Sequence, residues 1–204
     1  MKRENFLLLF LFISLLIVVP VTAQDDEDIP DNYDGNLVKS DLTITMRGGD
    51  LEVSITILDK GILRYATREM REYLNMVIDN NLADNMNYDP DSPDCPIPFL
   101  VNFRALGREV RYEPYELMVY NFGSEYRPLE IVPISPGFLD RVAYIRQKPV
   151  AAIYLFDGDI DLNSQEVTIS YANALVFNNW LRIIEAVNKA KTQLEIERSR
   201  SSDR

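Results

Sequence analysis

The stretch from Phe99 to Tyr171 consists of short runs rich in Val, Ile, Tyr and Phe, separated by Gly, Pro, Asn and Asp about every ten residues. β-Branched and aromatic side chains favour strands, whereas the separating residues favour turns. Short strands at regular spacing bury their apolar side chains when two sheets pack together or one sheet closes on itself. The pattern therefore predicts a β-sandwich or barrel over residues 99–176.

The region before it, residues 41–98, has two other periodicities. In DLTITM and LEVSITIL the apolar side chains alternate on either side of a Gly-Gly turn, which predicts a β-hairpin. From Asp59 to about Leu82 apolar residues recur at three- and four-residue steps, which predicts an amphipathic helix. A loop rich in Asn, Asp and Pro completes the region.

A second helix is predicted after the strands, over residues 177–198. Its apolar stripe contains Ile183, Val187 and Leu194. Residues 199–204 are polar and are predicted to form a frayed tail. The predicted fold class is thus α+β, mostly β, with an N-terminal hairpin plus helix and a C-terminal helix around the strand-rich region.

Residues 1–23 have the features of a signal peptide. Lys2 and Arg3 precede an apolar run, and a Val-Thr-Ala sequence ends the segment at Ala23. The run is shorter than the roughly 20 residues of a membrane span, although an uncleaved N-terminal anchor is the alternative. Residues 24–40 are acidic and aperiodic, which predicts a disordered leader. We therefore expect an exported chain that begins after Ala23.

The charge of that exported chain limits its partners. Removal of residues 1–23 leaves 19 basic and 31 acidic residues, a net charge of −12. A chain this acidic repels phosphate, so we expect no nucleic-acid partner and no binding to anionic membrane surfaces. After signal cleavage no membrane span is predicted.

Cysteine and asparagine usage indicate the compartment. Cys95 is the only cysteine, so an internal disulfide is excluded, and the turn DCPIPF favours a small buried apolar role over pairing with a second chain. No Asn-x-Ser/Thr glycosylation site occurs. These features indicate a bacterial protein that is periplasmic or extracellular.

Three elements within the strand-rich region occur in a familiar order: Val110 to Pro114 with Leu117, then Tyr126–Pro128, then a late strand pair from Phe156 to Val167. They resemble the small immunoglobulin-like domains of bacterial exported proteins and lipoproteins. The resemblance covers about 75 residues and implies an immunoglobulin-like β-sandwich over 99–176. It has no catalytic motif to carry over, and the helices and hairpin around it depart from that family.

The residue types exclude most catalytic chemistry. The chain has no histidine, which removes histidine-activated nucleophiles and histidine zinc ligands. A single cysteine cannot form a thiolate metal cage, and no Gly-rich phosphate loop is present. Carboxylate chemistry remains, as in glycoside hydrolysis by two facing acids. No acid pair stands out, so we expect a protein that is not an enzyme.

The segment LFDGDIDLNSQEVTISY places Asp157, Asp159 and Asp161 two residues apart between two apolar runs. An EF-hand is excluded, because Leu162 stands where that loop requires Gly and Thr168 where it requires Glu. Two interpretations remain. The three carboxylates form a looser calcium site, or they belong to the solvated turn of a β-hairpin, which the Asp-Gly and Asn-Ser pairs favour.

The predicted function is an exported, non-catalytic binding or structural module of the bacterial envelope that acts through protein–protein contacts. Its expected partner is another envelope protein or a surface component. The alternative is a domain weakly stabilised by calcium, and a carboxylate-based hydrolase ranks below both. No cofactor is predicted apart from that calcium ion.

Overall fold

The computed structural model describes residues 33–90, 92 and 94–202, so the predicted signal peptide lies outside the described residues. Within them the protein is mostly β, with eleven strands in antiparallel sheets and four helices. The helices are α1 (Lys39–Leu42), α2 (Lys60–Leu63), α3 (Arg68–Leu82) and α4 (Leu181–Ser202). The strands are β1 (Thr43–Gly48), β2 (Leu51–Ile57), β3 (Ile97–Ala105), β4 (Glu109–Arg111), β5 (Leu117–Asn121), β6 (Ser124–Tyr126), β7 (Glu130–Pro133), β8 (Val142–Tyr144), β9 (Val150–Phe156), β10 (Thr168–Tyr171) and β11 (Leu175–Phe177).

The larger sheet has five strands in the order β1-β2-β3-β9-β7, and every neighbouring pair is antiparallel. β1 and β2 form the hairpin that the alternating pattern predicts, with Ile44 opposite Ile55 and Met46 opposite Val53. The hairpin continues directly into the sheet, because β2 pairs along its whole length with β3. β9 is buried on both faces over most of its length, which explains its unbroken apolar sequence. β2 is buried on both faces as well, although its second face carries Glu52, Ser54 and Thr56.

A four-stranded sheet, in the order β11-β10-β5-β6, packs on the five-stranded sheet through aromatic side chains. The ring of Phe103 in β3 lies 5.7 Å from that of Tyr171 in β10 and stacks on Tyr112 at 4.2 Å, measured between ring centroids. Phe138 lies 6.3 Å from Phe103. We call these four residues the aromatic cluster. It joins the two sheets, because Phe103 and Tyr171 belong to different ones.

The helix predicted from Asp59 to Leu82 is interrupted. Its first part is the short helix α2, and α3 begins only at Arg68. Between them the backbone N–H of Thr67 donates to the carbonyl of Leu37 at 2.9 Å. That bond to a distant segment takes the place of a helical one, so the chain turns before the second helix starts.

Residues 33–40 are ordered, which corrects the predicted disordered leader over the part that the structure describes; residues 24–32 lie outside it. Tyr33 and Leu37 are buried, and the N–H groups of Asn36 and Leu37 donate to the carbonyl of Tyr65 at 3.0 and 3.1 Å. The acidic composition of this segment does not predict the contact. Two buried apolar side chains are nevertheless enough to attach a short segment to a core.

The C-terminal helix is shifted relative to the prediction of 177–198. Phe177 is the last residue of β11, and α4 begins at Leu181 and continues to Ser202. Residues 199–202, predicted to be frayed, are therefore helical, and 203–204 lie outside the described residues. The predicted stripe faces inward, since Ile183, Val187 and Leu194 are all buried.

One buried charge lies in the five-stranded sheet. Glu52 of β2 is 5 % exposed and lies directly between Arg47 of β1 and Arg104 of β3. Its two carboxylate oxygens bind one arginine each, Arg104 at 2.5 Å and Arg47 at 2.6 Å. The hydrogen bond from Arg104, aided by that from Arg47, lowers the pKa of Glu52, although burial acts in the opposite direction.

We expect Glu52→Gln to lower the free energy of unfolding by about 1–2 kcal/mol at pH 7, because charge-assisted bonds are lost while both arginines remain partly solvated. A carboxyl with a lowered folded-state pKa stabilises the fold above the ordinary glutamate pKa of about 4.3, and this contribution disappears as pH falls through the folded-state pKa. Urea unfolding should therefore show the difference between Glu52→Gln and the parent shrinking below about pH 4.

Glu125→Gln is the control for Glu52→Gln. Glu125 is also paired with an arginine, but its side chain is 42 % exposed. Its replacement should change the free energy of unfolding by no more than about 0.5 kcal/mol. Equal effects of the two substitutions would mean that the position of Glu52 between two strands adds nothing to stability.

Candidate binding groove

Strands β4 and β8 form a separate two-stranded ribbon. Beyond one end of the ribbon the N–H of Tyr112 donates to the carbonyl of Arg141 at 3.0 Å. Beyond the other end the N–H of Ile145 donates to the carbonyl of Arg108 at 3.1 Å. These two bonds establish which backbone groups of β4 point toward β8.

The outer edge of β4 is open. Hydrogen-bonded and non-hydrogen-bonded positions alternate along an antiparallel pair. Arg108 and Tyr112 are hydrogen-bonded positions, so Val110, two residues from each, also faces β8 with its backbone N–H and C=O. The backbone groups of Glu109 and Arg111 then point away from β8. Within the described chain no second strand pairs with β4, so these four groups form an unpaired strand edge.

A groove with a volume of about 470 Å³ lies along this edge. Val110 and Arg111 of β4 line it, whereas Glu109 and the three residues of β8 do not. It is lined by Gly48, Leu51, Val110, Arg111, Tyr112, Glu113, Glu116, Tyr171 and Ala172. The end of β4 and the residues after it thus form one wall, with Arg111 of the open edge among them, and the β1–β2 turn and the end of β10 contribute to the others.

Tyr171 closes one end of the open edge. The N–H of Glu113, two residues beyond Arg111, donates to the hydroxyl oxygen of Tyr171 at 2.8 Å. Burial raises the pKa of Tyr171, and the carboxylates of Glu113 and Glu116 add to this, which outweighs the lowering by the hydrogen bond from the Glu113 N–H. The hydroxyl therefore stays protonated at neutral pH and keeps a hydrogen to donate at the groove.

The rim of the groove is polar and carries one carboxylate without a cationic partner in any ion pair of the described chain. Glu113 pairs with Arg141 at 3.0 Å, whereas Glu116 is exposed and forms no such pair. Tyr115 lies between them in sequence and is 65 % exposed. Exposed aromatic side chains such as this one are enriched at surfaces that bind another protein.

The predicted calcium ligands Asp157, Asp159 and Asp161 lie elsewhere, in the connection between β9 and β10. Asp157 Oδ1 accepts the N–H of Asp159 at 3.0 Å, and Asp161 Oδ1 accepts that of Asn163 at 2.9 Å. Two of the three carboxylates thus stabilise successive turns. The structure does not arrange the three around a shared point.

The expected hairpin around this segment is wrong, because β9 and β10 are not neighbours. β9 pairs with β3 and β7, and β10 pairs with β5 and β11. A strand has two edges, and both edges of β9 are occupied. The segment from residue 157 to residue 167 is therefore a connection between two sheets.

Buried contacts attach this connection to three other parts of the fold. The N–H of Asp161 donates to Asn121 Oδ1 at 3.0 Å, and the carbonyl of Leu162 accepts Trp180 Nε1–H at 2.8 Å. A side chain at Gly158 would meet the carbonyl oxygen of Cys95 at 2.8 Å, so the two backbones approach closely there. The acidic segment is thus a fixed part of the structure.

We expect calcium to leave the thermal unfolding midpoint unchanged to within about 1 °C when 10 mM calcium is compared with EDTA at equal ionic strength. A site of extracellular type would instead raise the midpoint by about 3–10 °C under these conditions. A rise of that size that disappears in Asp159→Asn would show that these carboxylates bind calcium and do more than stabilise turns of the connection.

Other chemistry has little support in the described residues. Among residues 33–90, 92 and 94–202, no group of three or more Cys, Asp or Glu side chains could hold a metal ion. Cys95 is half-buried, and its Sγ lies 3.4 Å from the carbonyl oxygen of Pro96. Burial raises the pKa of this thiol, which makes it a poor nucleophile.

Among the residues that the structure describes, no helix has both the length and the apolar character required to cross a membrane.

Comparison with known proteins identified no relative. No family model matches the chain, and neither the characterised proteins nor the solved structures contain a match.

The sequence did not identify the groove. Its walls come from three distant segments, around Leu51, Val110 to Glu116, and Tyr171. The one local signal was the concentration of tyrosines in the strand-rich region, and it did not distinguish buried Tyr112 from exposed Tyr115.

Proposed function

We propose that the protein is an exported, non-catalytic binding module of the bacterial envelope that acts through protein–protein contacts at the groove beside β4. The observation that carries the proposal is the unpaired edge of β4 along that groove. Unpaired strand edges are sites at which other chains add, and proteins usually cover or charge them.

The charges at the groove favour binding over hydrolysis. Glu113 and Glu116 are both exposed, and Glu113 is in an ion pair with Arg141. A carboxylate-based hydrolase needs two carboxyls that face each other across a cleft that encloses the substrate. The exposed Glu113 and Glu116 have no such surroundings.

We also propose that the two sheets form an immunoglobulin-like sandwich. Its support is the antiparallel order with non-consecutive neighbours, β3 beside β9 and β5 beside β10, together with the aromatic cluster between the sheets. Connections that cross between two packed antiparallel sheets are characteristic of that architecture. The proposal differs from the sequence expectation by including β1 and β2 in the sandwich.

The test of the binding function is photo-crosslinking in living producer cells. A photoreactive amino acid replaces exposed Tyr115, whose sequence neighbour Glu116 lines the groove, or, as the remote control, Ile196 on α4, which is 45 % exposed. We expect a discrete crosslinked product from position 115 and none of that size from position 196, because only the first is adjacent in sequence to a groove-lining residue.

Two alanine variants provide the matched specificity control. Ala172 lines the groove and Ala174, two residues later, does not, and both are exposed. Ala172→Arg should abolish the crosslink at position 115 by filling the groove, whereas Ala174→Arg should leave it intact. A product that survives Ala172→Arg, or no product at all, would contradict the proposed function.

Export has its own test. Intact-mass measurement of the protein from the producer cell should show a chain that begins at Gln24, released with the periplasmic or extracellular fraction. A chain that retains residues 1–23 in the membrane fraction would show that the segment is an anchor.

A further inference from the structure

Resting on the proposed function, we infer that the groove binds an extended segment of a partner protein, which adds to the open edge of β4 as a further strand. The segment alternates apolar and basic side chains. Its apolar side chains lie against Leu51 and Tyr171, and a basic side chain lies beside Glu116.

The backbone of β4 has hydrogen-bonding groups that no strand of the described chain uses. Glu109 and Arg111 together present two N–H and two C=O groups on this edge, and Arg111 also lines the groove. At Glu113 the next outward N–H is already bonded to the Tyr171 hydroxyl. That hydroxyl occupies the position of an acceptor on an adjacent strand, so it limits the added strand to the part of the edge before Glu113.

The groove has an apolar wall that contains two nearly buried side chains. Leu51 and Tyr171 are 6 % and 5 % exposed and both line the groove. Side chains of a strand alternate between two faces, so every second residue of an added strand would point into this wall. An alternating apolar pattern in the partner satisfies the backbone edge and the wall together.

The charge at the groove predicts that the partner segment carries basic side chains. Glu109 and Arg111 lie on one face of β4 with opposite charges, and Glu113 is paired with Arg141. These four charges balance, which leaves Glu116 as the uncompensated charge at the groove. The chain as a whole carries a net charge of −11, so a basic partner segment is also attracted from a distance.

The experiment uses the purified mature protein and two labelled peptides, SVKVKVS and SVEVEVS, in fluorescence anisotropy titrations. We expect SVKVKVS to bind at least tenfold more tightly than SVEVEVS, because lysine meets Glu116 and glutamate is repelled by it. Glu116→Lys should reverse this preference. Retained preference for SVKVKVS in Glu116→Lys, or tighter binding of SVEVEVS by the parent, would overturn the charge assignment.

Strand addition is tested by removing one backbone hydrogen. Arg111→Ala and Arg111→Pro both lose the side chain, but only proline removes the N–H on the open edge. Since this N–H points away from β8, the ribbon keeps its own bonds. We expect SVKVKVS to bind Arg111→Pro at least tenfold more weakly than Arg111→Ala. Equal affinities would overturn strand addition.

A peptide variant gives the same test without changing the protein. Two versions of SVKVKVS are methylated on alternate backbone nitrogens, one on the odd-numbered and one on the even-numbered residues. In one of them the methyl groups replace the hydrogens that an added strand donates to β4. One of the two versions should lose binding, and unchanged binding of both would overturn strand addition. If neither peptide binds while the Tyr115 crosslink still depends on Ala172, strand addition is overturned and the proposed function stands.

Discussion

Phe103→Ala is expected to lower the free energy of unfolding by about 3–5 kcal/mol, which is a decrease of about 6–20 °C in the unfolding midpoint. Phe103 is fully buried and contacts the rings of Tyr112, Phe138 and Tyr171 in the aromatic cluster. Its removal leaves a cavity between the two sheets, because three large rings cannot collapse into the space without breaking other contacts. Denaturant unfolding followed by circular dichroism measures the loss.

Phe103→Ala should also weaken binding at the groove, although Phe103 does not line it. Tyr112 and Tyr171 belong both to the aromatic cluster and to the groove lining. Phe103→Leu is the matched variant, since it keeps most of the apolar volume and should cost about 1–2 kcal/mol. Equal, small effects of Ala and Leu would show that the two sheets are not joined through this residue.

Trp180→Ala is expected to have an effect of similar size, about 3–5 kcal/mol. Trp180 is fully buried, and its Nε1–H donates to the carbonyl of Leu162 at 2.8 Å. It lies directly before α4, so it connects the C-terminal helix to the segment between β9 and β10. Urea unfolding followed by circular dichroism is the suitable measurement, because Trp180 is the only tryptophan and its fluorescence disappears with it.

Trp180→Phe separates the ring from its hydrogen bond. Phenylalanine fills much of the site but leaves the Leu162 carbonyl without this donor, which should cost about 1–3 kcal/mol. In the parent protein the fluorescence of Trp180 should shift to longer wavelength on unfolding, as the indole enters water. An indole already exposed in the native protein would contradict the packing described for α4.

The strands were predictable where a local period specified them. The β1–β2 hairpin follows from alternation on either side of the glycines, since adjacent segments pair with little loss of chain entropy. Its two turn residues are Gly49 and Asp50, because Gly48 already pairs with Leu51. The connection at Asp157 was wrongly predicted to be a hairpin turn, because it too combines turn-forming residues with an apolar run on each side. Turn-forming residues indicate that the chain reverses, but they do not indicate whether the next strand joins the same sheet.

Long-range contacts account for the other differences. Tyr33 and Leu37 are buried against the α2–α3 region, and no period within an acidic stretch reveals such a contact. The groove also depends on long-range contacts, because Leu51, Val110 and Tyr171 come together only after both sheets have formed. A local pattern predicts which face of a strand is apolar, whereas an open edge depends on the complete order of strands.

Amide hydrogen exchange of β4 in the free protein, measured residue by residue by NMR, tests the central claim most directly. The structure predicts slow exchange at Val110 and Tyr112, whose N–H groups bond toward β8, and fast exchange at Glu109 and Arg111. This alternation would establish the open edge on which both proposals depend. Equal protection of all four amides would show that the edge is already covered, and the groove could not accept a further strand.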